Sequence, residues 1–113
     1  MVQKIKIDHI KSSGNVFADM GLPNAEELLA KAKLGDGIAS IIEHRGITQT
    51  AAGKIVGTSQ AKISDIIHGR LEKFTIDRLI KMLIAFDRDV QIKFKPKPRS
   101  RDHAVISVAS EDL

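Results

Sequence analysis

The chain has 113 residues, of which 42% are hydrophobic and 28% charged, with no cysteine and a formal net charge of +4 at pH 7. This length suits one domain with its own core, and the lack of cysteine excludes disulfides and thiolate metal sites and favours a reducing cytoplasm. No apolar run approaches the roughly 20 residues that a membrane span needs, so no membrane partner is expected.

The first 23 residues carry few structural signals and are predicted to be a flexible segment. Residues 5–7 are a weak strand candidate, because isoleucine and lysine alternate there. A small apolar group follows at Val16, Phe17, Met20 and Leu22. Whether this group packs against the body of the protein or is kept for a partner stays open.

Residues 24–45 have the spacing of an amphipathic helix. Asn24 with Glu27 three residues later is a capping-box arrangement. A buried stripe then recurs at helical intervals, at Leu34, Ile38, Ile41 and Ile42. Gly35 and Gly37 interrupt the middle, so the sequence predicts either one bent helix or two successive helices that end near Gly46.

Residues 47–69 predict two short helices joined by a tight turn. Thr48 is a good N-cap for a first helix of about two turns. Gly57 ends that helix, because glycine takes a left-handed conformation at no steric cost, and Thr58 or Ser59 can cap the second. Four isoleucines are spaced so that the two helices can pack across the turn: Ile55, Ile63, Ile66 and Ile67.

One more helix is predicted after this stretch. Thr75 is its N-cap, and Phe74 can pack on Leu79 as a hydrophobic staple. The apolar residues keep the helical spacing to about Phe86.

Residues 89–95 alternate between apolar and polar side chains, which predicts a β-strand that ends before Pro96. Its apolar face consists of Val90, Ile92 and Phe94. Because a lone strand leaves its backbone unpaired, we expect it to pair with its own copy, and these three residues to form the contact of a homodimer. Pairing within one chain, with residues 5–7 or 104–108, is the alternative. The polar, proline-containing residues 96–113 are predicted to be a flexible tail.

The stretch at 47–69 resembles the helix-turn-helix of the Cro and phage-repressor (Xre) family. Gln49, a small residue at position 53, Gly57 and Ile63 lie where this family places its signature residues. The chain departs from the pattern in having Gly53 where alanine is usual. The resemblance implies a mainly α-helical, phage-repressor-like DNA-binding domain of four to five helices at residues 24–95, which ends in the single C-terminal strand.

The resemblance extends over roughly residues 14–95, where the chain is similar to HigA-type antitoxins of toxin–antitoxin pairs. The segment NVFADMGLP at residues 15–23 is the more diagnostic part of this likeness. It implies a homodimeric repressor that binds its own promoter and, in many relatives, neutralises an RNase-type toxin. A free-standing Xre-type regulator is the alternative, as is an interaction protein whose main work is to mask a partner enzyme.

In this family the second helix of the motif enters the major groove of double-stranded DNA. Gln60 is predicted to read adenine through a bidentate amide contact, as a glutamine does at the matching position of the phage repressors. Ala61 can meet a thymine methyl group, while Ser64 and Asp65 reach the same groove one turn later. Asp65 either accepts from cytosine N4 or pairs with Lys62, and both interpretations stay open.

Positive charge is concentrated on and beside the motif. Residues 45–81 contain seven basic and three acidic residues, as expected for a surface that neutralises phosphates. The predicted phosphate contacts, which set register without reading sequence, are Gln49, Lys54, Thr58, Lys62, Arg70 and Lys73. Ser59, at the start of the second helix, completes the predicted DNA-binding surface. For Arg70 and Lys73, a solvated loop is the alternative.

No arrangement of residues in the sequence predicts an enzyme. The four histidines are scattered without the spacing of a helical metal pair, and no nucleophile or phosphate-binding glycine loop stands in a suitable context. We therefore expect no metal and no cofactor. The expected partners are DNA with an inverted-repeat operator, a second copy of the chain and, for an antitoxin, an RNase-type toxin.

Overall fold

The computed structural model describes residues 15–22 and 24–111, and five helices lie in this part of the chain. They are α1 (Val16–Asp19), α2 (Ala25–Arg45), α3 (Gln49–Val56), α4 (Gln60–Ile67) and α5 (Ile76–Ala85). None of them is long and apolar enough to cross a membrane. The helical architecture agrees with the prediction, whereas the strand candidate at residues 5–7 lies outside the described residues.

The long helix α2 is continuous over 21 residues, so the two glycines in its middle do not divide it. Gly35 lies against the side chain of Leu71, and a Cβ at this position would be 3.0 Å from Leu71 Cδ1. Gly46 ends the helix in the left-handed conformation, with φ 66°. The predicted capping box is not formed, because the side chain of Asn24 makes no capping hydrogen bond.

The core is mainly aliphatic and is built around α2, which packs against both α4 and α5. Its buried members come from four helices and the loops between them: Leu34, Ile38, Ile41, Ile42, Ala52, Ile63, Ile66, Leu71, Phe74, Leu79, Met82 and Phe86. The predicted stripe of α2 is therefore confirmed. Full burial of one such large side chain stabilises the fold by about 1.5–3 kcal/mol, and the core thus holds α4 in a fixed orientation.

The helix α5 begins and ends as the sequence predicts. The Oγ1 of Thr75 accepts from a backbone N–H of the first turn, and Phe74 and Leu79 are both buried in the core. Phe86 follows the last helical residue, and its carbonyl oxygen accepts from Arg45 Nη2 at 2.7 Å. The Arg45 guanidinium also lies 5.3 Å from the centroid of the Phe86 ring. These two contacts join the C-terminal end of α2 to that of α5.

The short helix α1 is attached to the beginning of α2. The Oδ1 of Asn15 accepts from the backbone N–H of Phe17 at 3.0 Å, while its Nδ2 donates to the carbonyl oxygen of Ala25 at 3.2 Å. Phe17 is half-buried, but Met20 and Leu22 are exposed. The apolar group of this segment therefore packs against the body only in part.

The prediction of a β-strand at residues 89–95 is wrong. No strand is formed anywhere in residues 15–22 and 24–111, and the side chains of Ile92 and Phe94 are 78% and 94% exposed. Val90 is half-buried. Alternation supplies an amphipathic pattern, but a strand also needs a second strand beside it, and residues 104–108 do not provide one.

Residues 88–101 form a C-terminal arm without helix or strand, and its end turns where the Arg101 N–H donates to the carbonyl oxygen of Pro98 at 3.2 Å. Beyond the arm the chain returns to the beginning of α2, where His103 Nε2 lies 2.7 Å from Glu26 Oε2. Val108 is half-buried and packs against the core. The arm is thus fixed at both ends, by Phe86 at one end of α2 and by His103 at the other.

Candidate nucleic-acid interface

The helices α3 and α4 and the three residues between them form the predicted helix-turn-helix. Thr48 Oγ1 accepts from the backbone N–H of Ala51 at 3.0 Å, and Ser59 Oγ accepts from that of Lys62 at 3.2 Å. Gly57 ends α3 with φ 77°. The caps at Thr48 and Ser59 and the glycine turn are therefore as predicted, and they fix where each helix begins and ends.

The packing across the turn differs in one respect from the prediction. Ile63 and Ile66 are buried and Ile67 is half-buried, but Ile55 is 43% exposed. Its predicted place in the contact is wrong, because fully buried Ala52 occupies the inner face of α3 instead. A two-turn helix has room for few inward positions, and small residues there let the two helices approach closely.

Gly53 marks the closest approach within this unit. Its carbonyl oxygen accepts from the backbone N–H groups of both Gly57 and Thr58, the latter at 2.8 Å. A Cβ at position 53 would lie 2.6 Å from the carbonyl oxygen of Thr58, a backbone atom that cannot move alone. The absence of a side chain at this position allows the turn to be this tight.

The first residues of the two helices are in contact at the surface. Gln60 Nε2 donates to Gln49 Oε1 at 2.5 Å, and Gln60 is exposed. A primary amide has two N–H donors and one carbonyl acceptor. Gln60 therefore keeps one N–H and its oxygen for a further partner, and these are the two groups that a bidentate contact to adenine needs.

Asp65 lies one turn further along α4 and is paired with Arg70. Its Oδ1 accepts from Arg70 Nε at 2.9 Å, and its carbonyl oxygen accepts from the Arg70 backbone N–H at 2.8 Å. The alternative pairing of Asp65 with Lys62 is not formed. The contact holds the Arg70 guanidinium beside the outer face of α4.

The prediction missed His68 as part of this outer face. His68 is exposed, and its Nδ1 lies 2.8 Å from the carbonyl oxygen and 3.3 Å from the Oγ of Ser64. The signal in the sequence is the i, i+4 spacing of His68 from Ser64. Within the described residues, no group of three or more His, Asp or Glu is placed to hold a metal ion.

The remaining predicted residues surround this face. Lys54, Lys62 and Lys73 are exposed and form no ion pair with another described residue. Ala61 is exposed on the first turn of α4, and Thr58 is half-buried in the turn. The surface therefore combines free ammonium groups with the amides of Gln49 and Gln60.

Two comparisons with known proteins give matches. A family model described as "Helix-turn-helix domain" matches residues 16–95. A solved structure named as an XRE family transcriptional regulator is 38% identical and has a TM-score of 0.73; the match covers 79% of this chain and 100% of that chain. No curated protein gives a significant match.

Proposed function

Because the chain belongs to the Xre-type helix-turn-helix family of DNA-binding transcriptional regulators, we propose that it is a sequence-specific repressor whose α4 lies in the major groove of its operator. The observation that carries the proposal is the hydrogen bond between Gln60 and Gln49. It holds the Gln60 amide, with one donor and one acceptor free, at the N-terminal end of α4. In this class of motif, that end of the helix meets the base edges.

Some of the other residues of this surface contact bases, and the rest contact phosphates. Ala61, Ser64 and the second oxygen of Asp65 face the groove beside Gln60. The phosphate contacts are Gln49, Lys54, Thr58, Ser59, Lys62, Arg70 and Lys73. The free Nε2 of Gln49 lies at the N-terminus of α3, where backbone N–H groups and the helix dipole favour an anion.

Salt dependence of binding tests this proposal. Titration of the protein onto its own upstream region should give an affinity that falls steeply with salt concentration, because bound phosphates release counterions. Random duplex of equal length should bind more weakly at every salt concentration. A flat dependence, or equal affinity for both duplexes, contradicts the proposal.

We propose further that the regulator acts as a homodimer through Val90, Ile92 and Phe94. The support is the exposure of Ile92 and Phe94, since a second copy that covers them removes apolar surface from water. A two-fold axis would then hold two α4 helices about 34 Å apart on an inverted repeat. This contact is between side chains and does not require backbone pairing.

A matched pair of variants tests the dimer. Ile92→Lys should sediment as a monomer and lose operator affinity, because it puts a charge into the apolar contact. Gln91→Lys adds the same charge one residue away, on the opposite side of the extended chain, and should remain dimeric. If the Ile92→Lys protein stays dimeric and binds the operator normally, the dimer interface lies elsewhere in the chain.

The third proposal is that the repressor is the antitoxin of a toxin–antitoxin pair and represses its own operon. Its support is the resemblance to HigA-type antitoxins over residues 14–95, together with exposed apolar side chains that a partner enzyme can cover. Co-expression with the neighbouring gene should relieve growth arrest and yield a stable complex. If the neighbouring product is harmless alone and does not bind, the chain is a free-standing regulator.

A further inference from the structure

The basic charge of the chain is divided between two segments. Residues 45–81, which contain the helix-turn-helix, have a net charge of +4. The C-terminal arm, residues 88–101, has six basic residues and one acid, a net charge of +5. All remaining residues together have five basic and ten acidic residues, a net charge of −5. Residues 45–81 therefore account for less than half of the net positive charge in these two segments.

Three cations of the arm are free to bind a partner. Lys93, Lys95 and Arg99 are exposed, and none of them has an ion pair with a described residue. By contrast, the Nζ of Lys97 donates to the carbonyl oxygen of Arg101 at 2.7 Å, within the arm itself. The arm thus presents separate charges along a backbone without helix or strand, and Arg99 lies in the turn near its end.

The arm begins at the end of the molecule from which α3 also begins. Arg45 binds the carbonyl oxygen of Phe86 just before the arm, and Gln49 starts α3 four residues after Arg45. The eight residues from Arg88 to Lys95 are separated by seven steps and span at most about 23 Å. Lys93 and Lys95 therefore lie within this distance of Arg88, which follows the end of the molecule that carries Gln49.

We infer that the C-terminal arm is a second, sequence-independent DNA contact in which Lys93, Lys95 and Arg99 pair with backbone phosphates beside the site that α4 reads. The inference rests on the proposed DNA-binding function. In an extended chain Lys93 and Lys95 point away from Ile92 and Phe94, so one face of the arm can contact phosphates while the other contacts a second copy. Separate cations with no acidic residue among positions 90–101 suit the regular charges of a DNA duplex better than a protein surface.

The test compares two triple variants of the full chain that remove the same charge. In the first, Lys93, Lys95 and Arg99 are all replaced by glutamine. In the control, glutamine replaces Lys6, Lys11 and Lys33, which lie outside both basic segments. Affinity for the operator and for random duplex is measured over a range of salt concentrations, and sedimentation gives the association state of each variant.

The arm variant should reduce the slope of log affinity against log salt by about two to three for each bound copy of the chain, because each lost phosphate contact contributes about 0.9. Both duplexes should weaken by the same factor, so the specificity ratio and the sedimentation remain those of the unmodified protein. The control should leave the slope nearly unchanged.

An unchanged salt slope in the arm variant overturns the inference. An equal fall of the slope in the control also overturns it, because the effect would then come from total charge alone. A changed association state with an unchanged slope also overturns it. In that case the three cations contact an acidic surface of a second copy and not DNA phosphates. If the unmodified protein shows no salt-dependent binding to any duplex, the proposed function itself fails.

Discussion

The helix-turn-helix at residues 47–69 and the C-terminal arm at residues 88–101 have equally regular sequence patterns but different structures. In the first, the caps and the turn are satisfied within a few residues: Ser59 caps the N–H of Lys62, and the N–H of Gly57 donates back to Gly53. In the arm, the alternating pattern has no partner backbone and gives no strand. A sequence pattern thus predicts an element reliably when the hydrogen bonds of that element are local. When the element needs hydrogen bonds to a distant segment, the pattern predicts only which side chains share a face.

Two isoleucine substitutions should show the largest difference between these regions. Ile63→Ala removes a fully buried side chain from α4 and should lower the free energy of unfolding by about 2–5 kcal/mol. Ile92→Ala removes an exposed side chain from the arm and should change it by no more than about 0.5 kcal/mol. Urea unfolding measures both, at a protein concentration low enough that sedimentation gives the monomer for every variant. Equal costs would contradict the assignment of the arm to the surface.

Two glycines in helices should respond in opposite directions to alanine. Gly53→Ala should lower the free energy of unfolding by about 1–3 kcal/mol, because its Cβ meets the Thr58 carbonyl oxygen, and this outweighs the gain of about 1 kcal/mol in helix propensity. Gly37→Ala should raise it by about 0.5–1 kcal/mol, since a Cβ there meets only Leu83 Cδ2, at 4.0 Å. Thermal unfolding of both variants gives the signs. A stabilised Gly53→Ala protein would mean that the turn can relax.

Replacement of two serines should give the smallest of these differences in the free energy of unfolding. Ser59→Ala removes the cap of α4 and should lower the free energy of unfolding by about 1 kcal/mol. Ser100→Ala lies in the exposed arm and should have an effect below about 0.5 kcal/mol. Urea unfolding can resolve this difference. If the two variants unfold alike, the cap contributes nothing to the stability of the motif.

The fold was predictable where neighbouring residues decide it. Caps such as Thr48 and Thr75 and the turn at Gly57 are visible in the sequence, because their hydrogen bonds span only three or four residues. The sequence left open whether α2 is one helix or two, because Gly35 and Gly37 permit both, and the contact of Gly35 with the distant Leu71 was not predictable. The exposure of Ile55 was missed for a related reason: spacing alone does not reveal how close two helices approach.

The candidate DNA-binding surface was likewise predictable only where neighbouring residues decide its structure. The position of Gln60 at the start of α4 follows from the cap at Ser59 and needs no tertiary information. Its hydrogen bond to Gln49 joins residues eleven positions apart on two helices, and the pairing of Asp65 with Arg70 depends on how the chain leaves α4. Such contacts arise from the geometry of the turn, which residue types alone do not give.

The most direct test of base reading by α4 compares the variants Gln60→Ala and Lys54→Ala. The affinity of each is measured for the upstream operator and for random duplex at one salt concentration. Gln60→Ala should weaken operator binding by about 1–3 kcal/mol and leave random duplex almost unaffected, because it removes a base contact. Lys54→Ala should weaken both duplexes by about the same factor, because it removes a phosphate contact. If Gln60→Ala leaves the ratio of the two affinities unchanged, α4 does not read sequence through Gln60.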